Sequence, residues 1–324
     1  MNNIQIQEVD THKHLGITFS NNGTWHEHIK DITKKAWTRI NALRSLKFTL
    51  DRHSLEIIYT SFIRPILEYS DVVWDNIPQA EEEELEKIQT EALRIITGAT
   101  RLVPIQNLYN ESSFESLKSR RRQHKLVHFF KMKNCPSTPS YLSNLIPEPV
   151  GTVANYGLRN FDHIRNVTKN TNHFALSFLP STISEWNKLP SSTRSSGSVP
   201  SFKHALNPNK KNVPKFYYEG KRDLSIQHAR LRMHCSSLNE HLYSKHIVES
   251  PTCICGAIED THHYLFNCPL YNTQRASLFD ALGPITRISI NILLFGNGNL
   301  SDEANNQIFH HVRTYIAKTK RFMH

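Results

Sequence analysis

The spacing of apolar residues changes character near the start of the chain. Residues 13–19 (KHLGITF) combine β-branched and aromatic side chains and run into the turn-forming residues 20–23, which predicts a short β element. From His28 onward, apolar residues recur every three or four positions, which predicts an amphipathic helix with these inward side chains: Ile29, Ile32, Ala36, Ile40 and Leu43. The exposed face of this helix is strongly basic, because its other positions include Lys30, Lys34, Lys35, Arg39 and Arg44.

A second helical pattern covers residues 54–69 and contains a proline. Its inward positions are Leu55, Ile58, Tyr59, Phe62 and Ile66. Pro65 has no backbone N–H, and its ring clashes with the preceding turn of a helix. We therefore expect a kink or a break at this proline.

A third helix is predicted after Pro78. Its first turn holds four glutamates at residues 81–84, which suit the positive end of the helix dipole, and Gly98 suits the position after its last residue. A metal site at the glutamates is the alternative, but a solvated helix start explains them better.

A fourth helix, at about residues 114–133, contains the dense run KSRRRQHK at 118–125. This run has five cations and no acid, namely Lys118, Arg120, Arg121, Arg122 and Lys125. Cations at this density neutralise phosphates and release counterions. A solvated helix face explains them equally well.

Prolines and serines dominate residues 135–218, which predicts an irregular connector. Within it, Ser181 or Thr182 is expected to cap a helical turn against which Trp186 packs. Helical patterning returns near residue 223, and the last helix is predicted at about residues 305–320. The chain is thus divided into four segments, at 1–27, 28–134, 135–218 and 219–324.

Composition adds the sign of the charge. Lys and Arg outnumber Asp and Glu by 39 to 29, which gives a net charge of +10 and favours an anionic partner, most commonly RNA or DNA. A merely basic protein fits these numbers too. Since no apolar run approaches about 18 residues, no membrane partner is expected. The polar N-terminus and the five cysteines favour an intracellular location, in the cytoplasm or nucleus, over secretion.

The sharpest chemical feature is a group of cysteines and histidines at residues 253–268. Thiolates and imidazoles are the ligands that zinc prefers, and a set of three cysteines and one histidine is a common structural site. Cys253, Cys255 and Cys268 supply the thiolates, and either His262 or His263 supplies the imidazole. We predict one structural zinc ion, because four protein ligands leave no open position for catalysis.

The common catalytic motifs are absent from the sequence. There is no Gly-rich phosphate loop, no Gly-x-Ser-x-Gly elbow and no His-Glu-x-x-His motif. Two-metal nucleotidyl transfer needs closely placed carboxylates, and the chain contains no Asp-Asp pair. The sequence therefore predicts a protein that is not an enzyme.

Four stretches, in this order, resemble the C-terminal portion of reverse transcriptases of non-LTR (LINE-type) retrotransposons. They are residues 13–19 with Trp25 and residues 28–29; residues 62–69, 73–74, 88–89 and 93–98; residues 178–190 and 201–203; and residues 235–242, 253–256 and 263–269 with Arg275. The spacing typical of that family favours His263 over His262 as the fourth ligand. The resemblance implies a palm-edge remnant at 1–27, a thumb-like bundle at 28–134, a connector at 135–218 and a zinc-knuckle-like C-terminal region at 219–324.

The resemblance also sets the expected function. The paired aspartates of the family's polymerase centre have no counterpart here, nor has its endonuclease domain. We therefore expect a truncated retrotransposon-derived protein that binds RNA or DNA through its basic helices and zinc segment, with other retroelement proteins as further partners. The alternatives are a decayed reading frame without selected activity, and a fragment of a polymerase whose palm lies upstream. The expected fold is mainly α, with a short β element, a helical bundle, an irregular connector and a small zinc-stabilised α/β region.

Overall fold

The computed structural model describes residues 8–153, 160–209 and 212–322. These residues are mainly helical and contain one two-stranded sheet near the N-terminus, so the predicted mainly α fold with a short β element is confirmed for them. None of the helices in these ranges is both long enough and apolar enough to cross a membrane.

The strands and helices follow each other along the chain with short connections. They are β1 (Thr11–His14), β2 (Ile17–Ser20), α1 (His26–Leu46), α2 (Arg52–Ile58), a π-helical turn (Tyr59–Ile63), α3 (Arg64–Glu68), α4 (Asp71–Trp74), α5 (Gln79–Thr97), α6 (Ile105–Ser112), α7 (Leu117–Asn134), α8 (Ser140–Ser143), α9 (Val150–Val153), α10 (Asn172–Leu176), α11 (Phe178–Asn187), α12 (Ser191–Arg194), α13 (Val199–Leu206), a 3-10 turn (Lys215–Tyr217), α14 (Arg222–Arg232), α15 (Asn239–Tyr243), a second π-helical turn (His263–Asn267), a second 3-10 turn (Pro269–Tyr271), α16 (Asn272–Leu282), α17 (Ile290–Phe295) and α18 (Asp302–Thr319).

The chain divides into two compact units, each assembled from three separate stretches. Unit 1 consists of Met1–Thr38, Arg64–Gln89 and Glu115–Lys210. Unit 2 consists of Arg39–Ile63, Thr90–Phe114 and Lys211–His324. The division into four consecutive segments stays a prediction from the sequence.

The predicted β element is a hairpin, and the sequence pattern did not indicate its internal turn. β1 pairs antiparallel with β2, and the turn between them consists of Leu15 and Gly16 with φ of 46° and 84°. Positive φ at both positions matches the twist of the flanking strands, and glycine adopts it without strain. The pattern missed the turn because a leucine and a glycine within an apolar run give a weak turn signal.

The predicted pattern of α1 is confirmed. All five inward side chains are buried, from Ile32 at 6% exposure to Ile40 at 0%. The charged positions lie on the opposite face, where Lys30, Lys34 and Lys35 are exposed. Apolar periodicity thus identified which side of this helix packs.

The predicted break at Pro65 takes the form of a π-helical turn just before the proline. Such a turn inserts one residue into the helical repeat, so the hydrogen bond that proline cannot make is avoided. The inserted residue also shifts the buried stripe, which runs through Leu55, Tyr59, Ile63 and Leu67. Phe62 was expected to point inward and is instead 62% exposed.

The described residues 135–153 and 160–209 contain six short helices, α8 to α13, where the sequence indicated irregular structure apart from one helical turn near Trp186. Three prolines of this region stand at helix starts: Pro139 and Pro190 directly precede α8 and α12, and Pro200 lies in the first turn of α13. A proline is tolerated there because the first helical N–H groups have no intrahelical partner. α11 begins at Phe178 without a side-chain cap, so neither Ser181 nor Thr182 caps it.

Trp186 lies at the centre of an apolar core within unit 1. As expected, it is buried, and it packs against Phe129 of α7 and Phe202 of α13 with ring centroids 5.1 and 5.5 Å apart. Phe130 stacks on Phe202 at 4.5 Å. The short helices α11 and α13 therefore complete the core that α7 begins.

We predict that Trp186→Ala lowers the free energy of unfolding by about 3–5 kcal/mol, since it removes a fully buried aromatic side chain and leaves a cavity. Chemical denaturation followed by circular dichroism measures the change. Tyr141→Ala in α8 is the matched control, because Tyr141 is 70% exposed. A similar loss for both variants would contradict the assignment of Trp186 to the core.

Unit 2 has its own apolar core, arranged around the C-terminal helix α18. Ile308, Phe309 and Val312 of α18 are fully buried and meet apolar side chains of α14, α16 and α17. Tyr264 and Leu265, from the second π-helical turn, belong to the same core. The cysteine–histidine segment is thereby attached to unit 2 by its own apolar residues.

A buried ion triad also lies within unit 2. Glu111 of α6 accepts hydrogen bonds from Arg52 of α2 at 2.6 Å and from Arg232 of α14 at 2.7 and 2.9 Å. The three side chains are no more than 7% exposed. Burial alone would raise the pKa of the Glu111 carboxyl, but the two guanidinium groups outweigh it and lower that pKa.

Candidate metal centre

The first two candidate ligands lie on a tight turn. The amide of Cys253 donates to the carbonyl of Ala257 at 2.7 Å, and the amide of Gly256 donates back to the carbonyl of Cys253 at 2.8 Å. Gly256 has φ of +91°, a conformation that a glycine adopts without strain. This turn places the thiols of Cys253 and Cys255 on the same side.

The other two candidate ligands are His263, which is the first residue of the second π-helical turn, and Cys268, which directly follows that turn. The side chain of Asp260 accepts from the backbone amide of His263 at 2.6 Å, which holds the first residue of this turn. The amide of Cys268 then donates to the carbonyl of His263 at 2.8 Å. A hydrogen bond across five residues is the π-helical pattern, and it brings the two ligands to one side.

The four ligand atoms converge as a metal ion requires. All lie within 4.8 Å of one another. The sulfurs of Cys253 and Cys268 are 3.7 Å apart, and the sulfur of Cys255 is 3.3 Å from Nε2 of His263. A tetrahedral zinc ion with Zn–S of about 2.3 Å and Zn–N of about 2.0–2.1 Å separates its ligands by roughly 3.8 and 3.5 Å. The arrangement is therefore compatible with a single metal site.

His262 lies outside this group. It is exposed and stacks on Phe266 with ring centroids 5.1 Å apart. Its Nδ1 lies 3.3 Å from the side-chain nitrogen Nδ2 of Asn267. His263, by contrast, is 6% exposed. The structure thus brings together the four residues chosen from the sequence.

The thiols differ in their surroundings. Burial raises the pKa of the Cys268 thiol to about 12, whereas the backbone amide of Ala257 lowers the pKa of the partly exposed Cys255 thiol. A buried thiol cannot ionise alone at neutral pH, but a bound cation deprotonates it. The donor set therefore suits a metal ion.

Two arginines hold the segment from outside the ligand group. Arg275 of α16 donates to the carbonyl of Cys268 at 2.7 Å. Arg321, after α18, donates to both carboxylate oxygens of the buried Glu259, at 2.6 and 2.7 Å. Glu259 also accepts from the amide of Asn239. The sequence offered no signal for the pairing of residues 259 and 321, which are far apart along the chain.

No family model matches the chain, and no curated protein or solved structure matches it. The chemistry of the cysteine–histidine group therefore rests on its own geometry. A closed set of three thiolates and one imidazole is typical of ions that hold a fold together.

The predicted nucleic-acid-binding residues of α1 are mostly exposed. Lys30 and Lys34 lie on its open face; Lys30 is 3.8 Å from Glu27, and Lys35 pairs with Asp31 at 2.7 Å. Further along the helix, Arg39 donates to the carbonyl of Phe62, and Arg44 pairs with Glu91 at 2.7 Å.

The predicted nucleic-acid-binding residues of α7 are held by carboxylates. Arg120 pairs with Glu68, and Arg122 pairs with Glu185 at 2.6 Å. Arg121 is 1% exposed and contacts Asp75 and Glu82, and Asp75 also pairs with Lys125 at 2.5 Å. These four cations are therefore paired with carboxylates of unit 1, which their charge pattern alone does not indicate.

The glutamates at the start of α5 take part in the same kind of contact. Glu81 lies 2.9 Å from His26, and Glu82 pairs with Lys118 at 2.7 Å. Among the residues that the structure describes, the cysteine–histidine group is the one set of side chains arranged to hold a metal ion.

Proposed function

We propose that this protein binds nucleic acid without acting on it chemically, and that one structural zinc ion stabilises its unit 2. The observation that carries the zinc assignment is the convergence of Cys253, Cys255, His263 and Cys268 within 4.8 Å. Four protein ligands complete a tetrahedral shell and leave no position for water or substrate. The ion therefore serves the fold.

The nucleic-acid partner is supported by the charges that remain exposed. The net charge is +10, and the open face of α1 presents Lys30 and Lys34 to solvent. Exposed cations contact phosphates in a way that positions a strand without reading its sequence. The cations of α7 contribute less, because carboxylates of unit 1 already neutralise most of them.

A retrotransposon origin accounts for these features together. In that proposal the chain is a reverse-transcriptase-like fragment that keeps parts for holding nucleic acid, with RNA, DNA and other retroelement proteins as its partners. The alternatives stay a decayed reading frame and a piece of a polymerase whose catalytic residues lie elsewhere. Extension of a primer on a template by this chain with magnesium would overturn the non-catalytic proposal.

Binding of a labelled RNA or DNA oligonucleotide, measured by fluorescence anisotropy, tests the proposed function. We expect affinity in the micromolar range that falls steeply as salt rises, because binding releases counterions from the phosphates. The double variant Lys30→Gln, Lys34→Gln should flatten the plot of log K against log salt by roughly 0.7–0.9 for each phosphate that is no longer neutralised.

The matched control is Lys169→Gln, Lys318→Gln, which removes two exposed charges from other parts of the chain. This control should bind nearly as the parent protein does. Undetectable binding, or binding that salt does not weaken, would contradict the proposed function.

A further inference from the structure

A concave surface of about 430 Å³ in unit 2, here called the cationic pocket, gathers six cations around one carboxylate, Glu91. The cations are Arg44, Lys47, Arg94, Arg101, Arg222 and Arg230. Like charges at such density repel each other, and an anionic ligand relieves that repulsion. The volume falls within the range of about 300–1,000 Å³ that is usual for small-ligand sites.

Some of these cations already have internal roles. Arg44 pairs with Glu91 at 2.7 Å. Arg222 donates to the carbonyls of Lys47 and Ile95 at 2.8 and 2.7 Å, and Arg230 donates to that of Gly98 at 2.8 Å. The carbonyls of residues 95 and 98 lie at the end of α5, where helix carbonyls lack intrahelical partners. Capping of these carbonyls therefore accounts for the position of Arg222 and for one hydrogen bond of Arg230.

Capping does not explain Arg94, Arg101 or Lys47. The Nε atom of Arg94 is buried and has no hydrogen-bond partner among the described residues. Arg101 is exposed at the pocket, and Lys47 contacts the ring of Phe48 at 4.7 Å. Leaving a buried donor unpaired costs free energy, so the Arg94 guanidinium is well placed to gain from an acceptor.

The pocket also has an aromatic wall. Phe48 lines it and is 84% exposed, which is unusual for a large apolar ring outside an interface. Unpaired bases stack on such rings, while arginines beside them take the phosphates. A base within a duplex cannot stack in this way, so the combination favours a single strand.

We propose that the cationic pocket binds one nucleotide of a single-stranded nucleic acid, with the phosphate on Arg94 and Arg101 and the base on Phe48. This inference rests on the nucleic-acid-binding function proposed above. It specifies where the nucleic acid binds, that it is single-stranded, and that two arginines hold the phosphate while an aromatic ring holds the base.

The test uses the full zinc-loaded chain with labelled single-stranded and double-stranded oligonucleotides of the same sequence. Arg94→Gln, Arg101→Gln should weaken binding of the single strand at least tenfold and reduce the salt slope by roughly 0.7, because the two arginines together hold one phosphate. Phe48→Ala should weaken it about tenfold with little change in slope, because stacking is not ionic. Phe48→Tyr should restore the affinity, since it keeps the ring.

Three outcomes would overturn this inference. If the parent binds and the pocket variants match Lys169→Gln, Lys318→Gln, the site is elsewhere and only the inference fails. If the pocket variants lose duplex binding as strongly as single-strand binding, the stacking role fails. If the pocket instead mediates binding to anionic lipid vesicles and no oligonucleotide binds, the proposed function fails as well. Circular dichroism of each variant confirms that it is folded.

Discussion

Replacing Cys268 with serine is expected to release the metal ion and to destabilise unit 2 by about 3–5 kcal/mol. Structural zinc contributes about 10–16 kcal/mol to small zinc-finger peptides, which have almost no other core. The smaller effect is expected here because unit 2 has an apolar core of its own around α18. Cys268 is the most sensitive ligand to change, since it is fully buried and close to Cys253.

Metal content and thermal unfolding check this prediction. The parent should carry one zinc ion per chain by elemental analysis, and a strong chelator should lower its midpoint of unfolding. Lowering the pH should also release the ion, since protons compete with it for the thiolates and the imidazole.

Two matched variants separate loss of a ligand from loss of a side chain. His262→Ala removes the neighbouring exposed histidine, and Cys135→Ser removes a cysteine of unit 1 outside the group. Both should keep the metal. A parent protein that takes up no zinc on refolding, and that a chelator leaves unchanged, would refute the metal centre.

The second large effect is expected from Glu111→Gln. This substitution removes the negative charge between Arg52 and Arg232 and leaves two buried cations facing a neutral amide. Breaking a buried ion pair in this way costs about 3–5 kcal/mol, because the remaining charges are desolvated without compensation. Urea denaturation of the parent and the variant measures the difference.

Glu91→Gln provides the control, since it removes a carboxylate from a partly exposed pair with Arg44. Its cost should stay within about 1 kcal/mol, because solvent screens such pairs. Equal losses for the two variants would show that burial of Glu111 does not matter.

The ion triad also predicts a dependence on pH. The folded-state pKa of Glu111 lies below its usual value, so the folded protein holds the carboxylate in its charged form. This contribution is complete above the unfolded-state pKa of about 4.3 and is lost as the pH falls through the folded-state value. Stability measured from pH 7 downward should therefore fall less in Glu111→Gln than in the parent.

Much of the helical structure could be predicted from apolar spacing. The buried face of α1 and the end of α5 at Gly98 follow from local rules, because each depends on residues a few positions apart. The shift of the stripe after Tyr59 could not be predicted, since an inserted residue in a π-helical turn leaves no mark in composition. A helical turn was expected near Trp186, where α11 lies, but the other short helices of residues 135–153 and 160–209 were missed because they are too short to show a clear repeat.

Some of the functional and buried polar residues could also be predicted from the sequence, and others could not. The cysteine–histidine group is local in sequence, so its ligands could be named before the fold was known. The Arg52–Glu111–Arg232 triad joins residues up to 180 positions apart, and only the tertiary fold brings them together. Charge density alone could not separate Lys34, which faces solvent, from Arg121, which is buried against two carboxylates.

The π-helical turn between His263 and Cys268 has a consequence for recognising related chains. The backbone amide of Cys268 donates to the carbonyl of His263, so the number of residues between the two ligands is fixed by the hydrogen-bond pattern of the π-helical turn. Deleting one residue would rotate Cys268 away from the other sulfurs, while most side-chain changes within the turn would leave the spacing intact. The spacing of four residues between His263 and Cys268 is thus expected to be kept in distant relatives even where the surrounding residues differ.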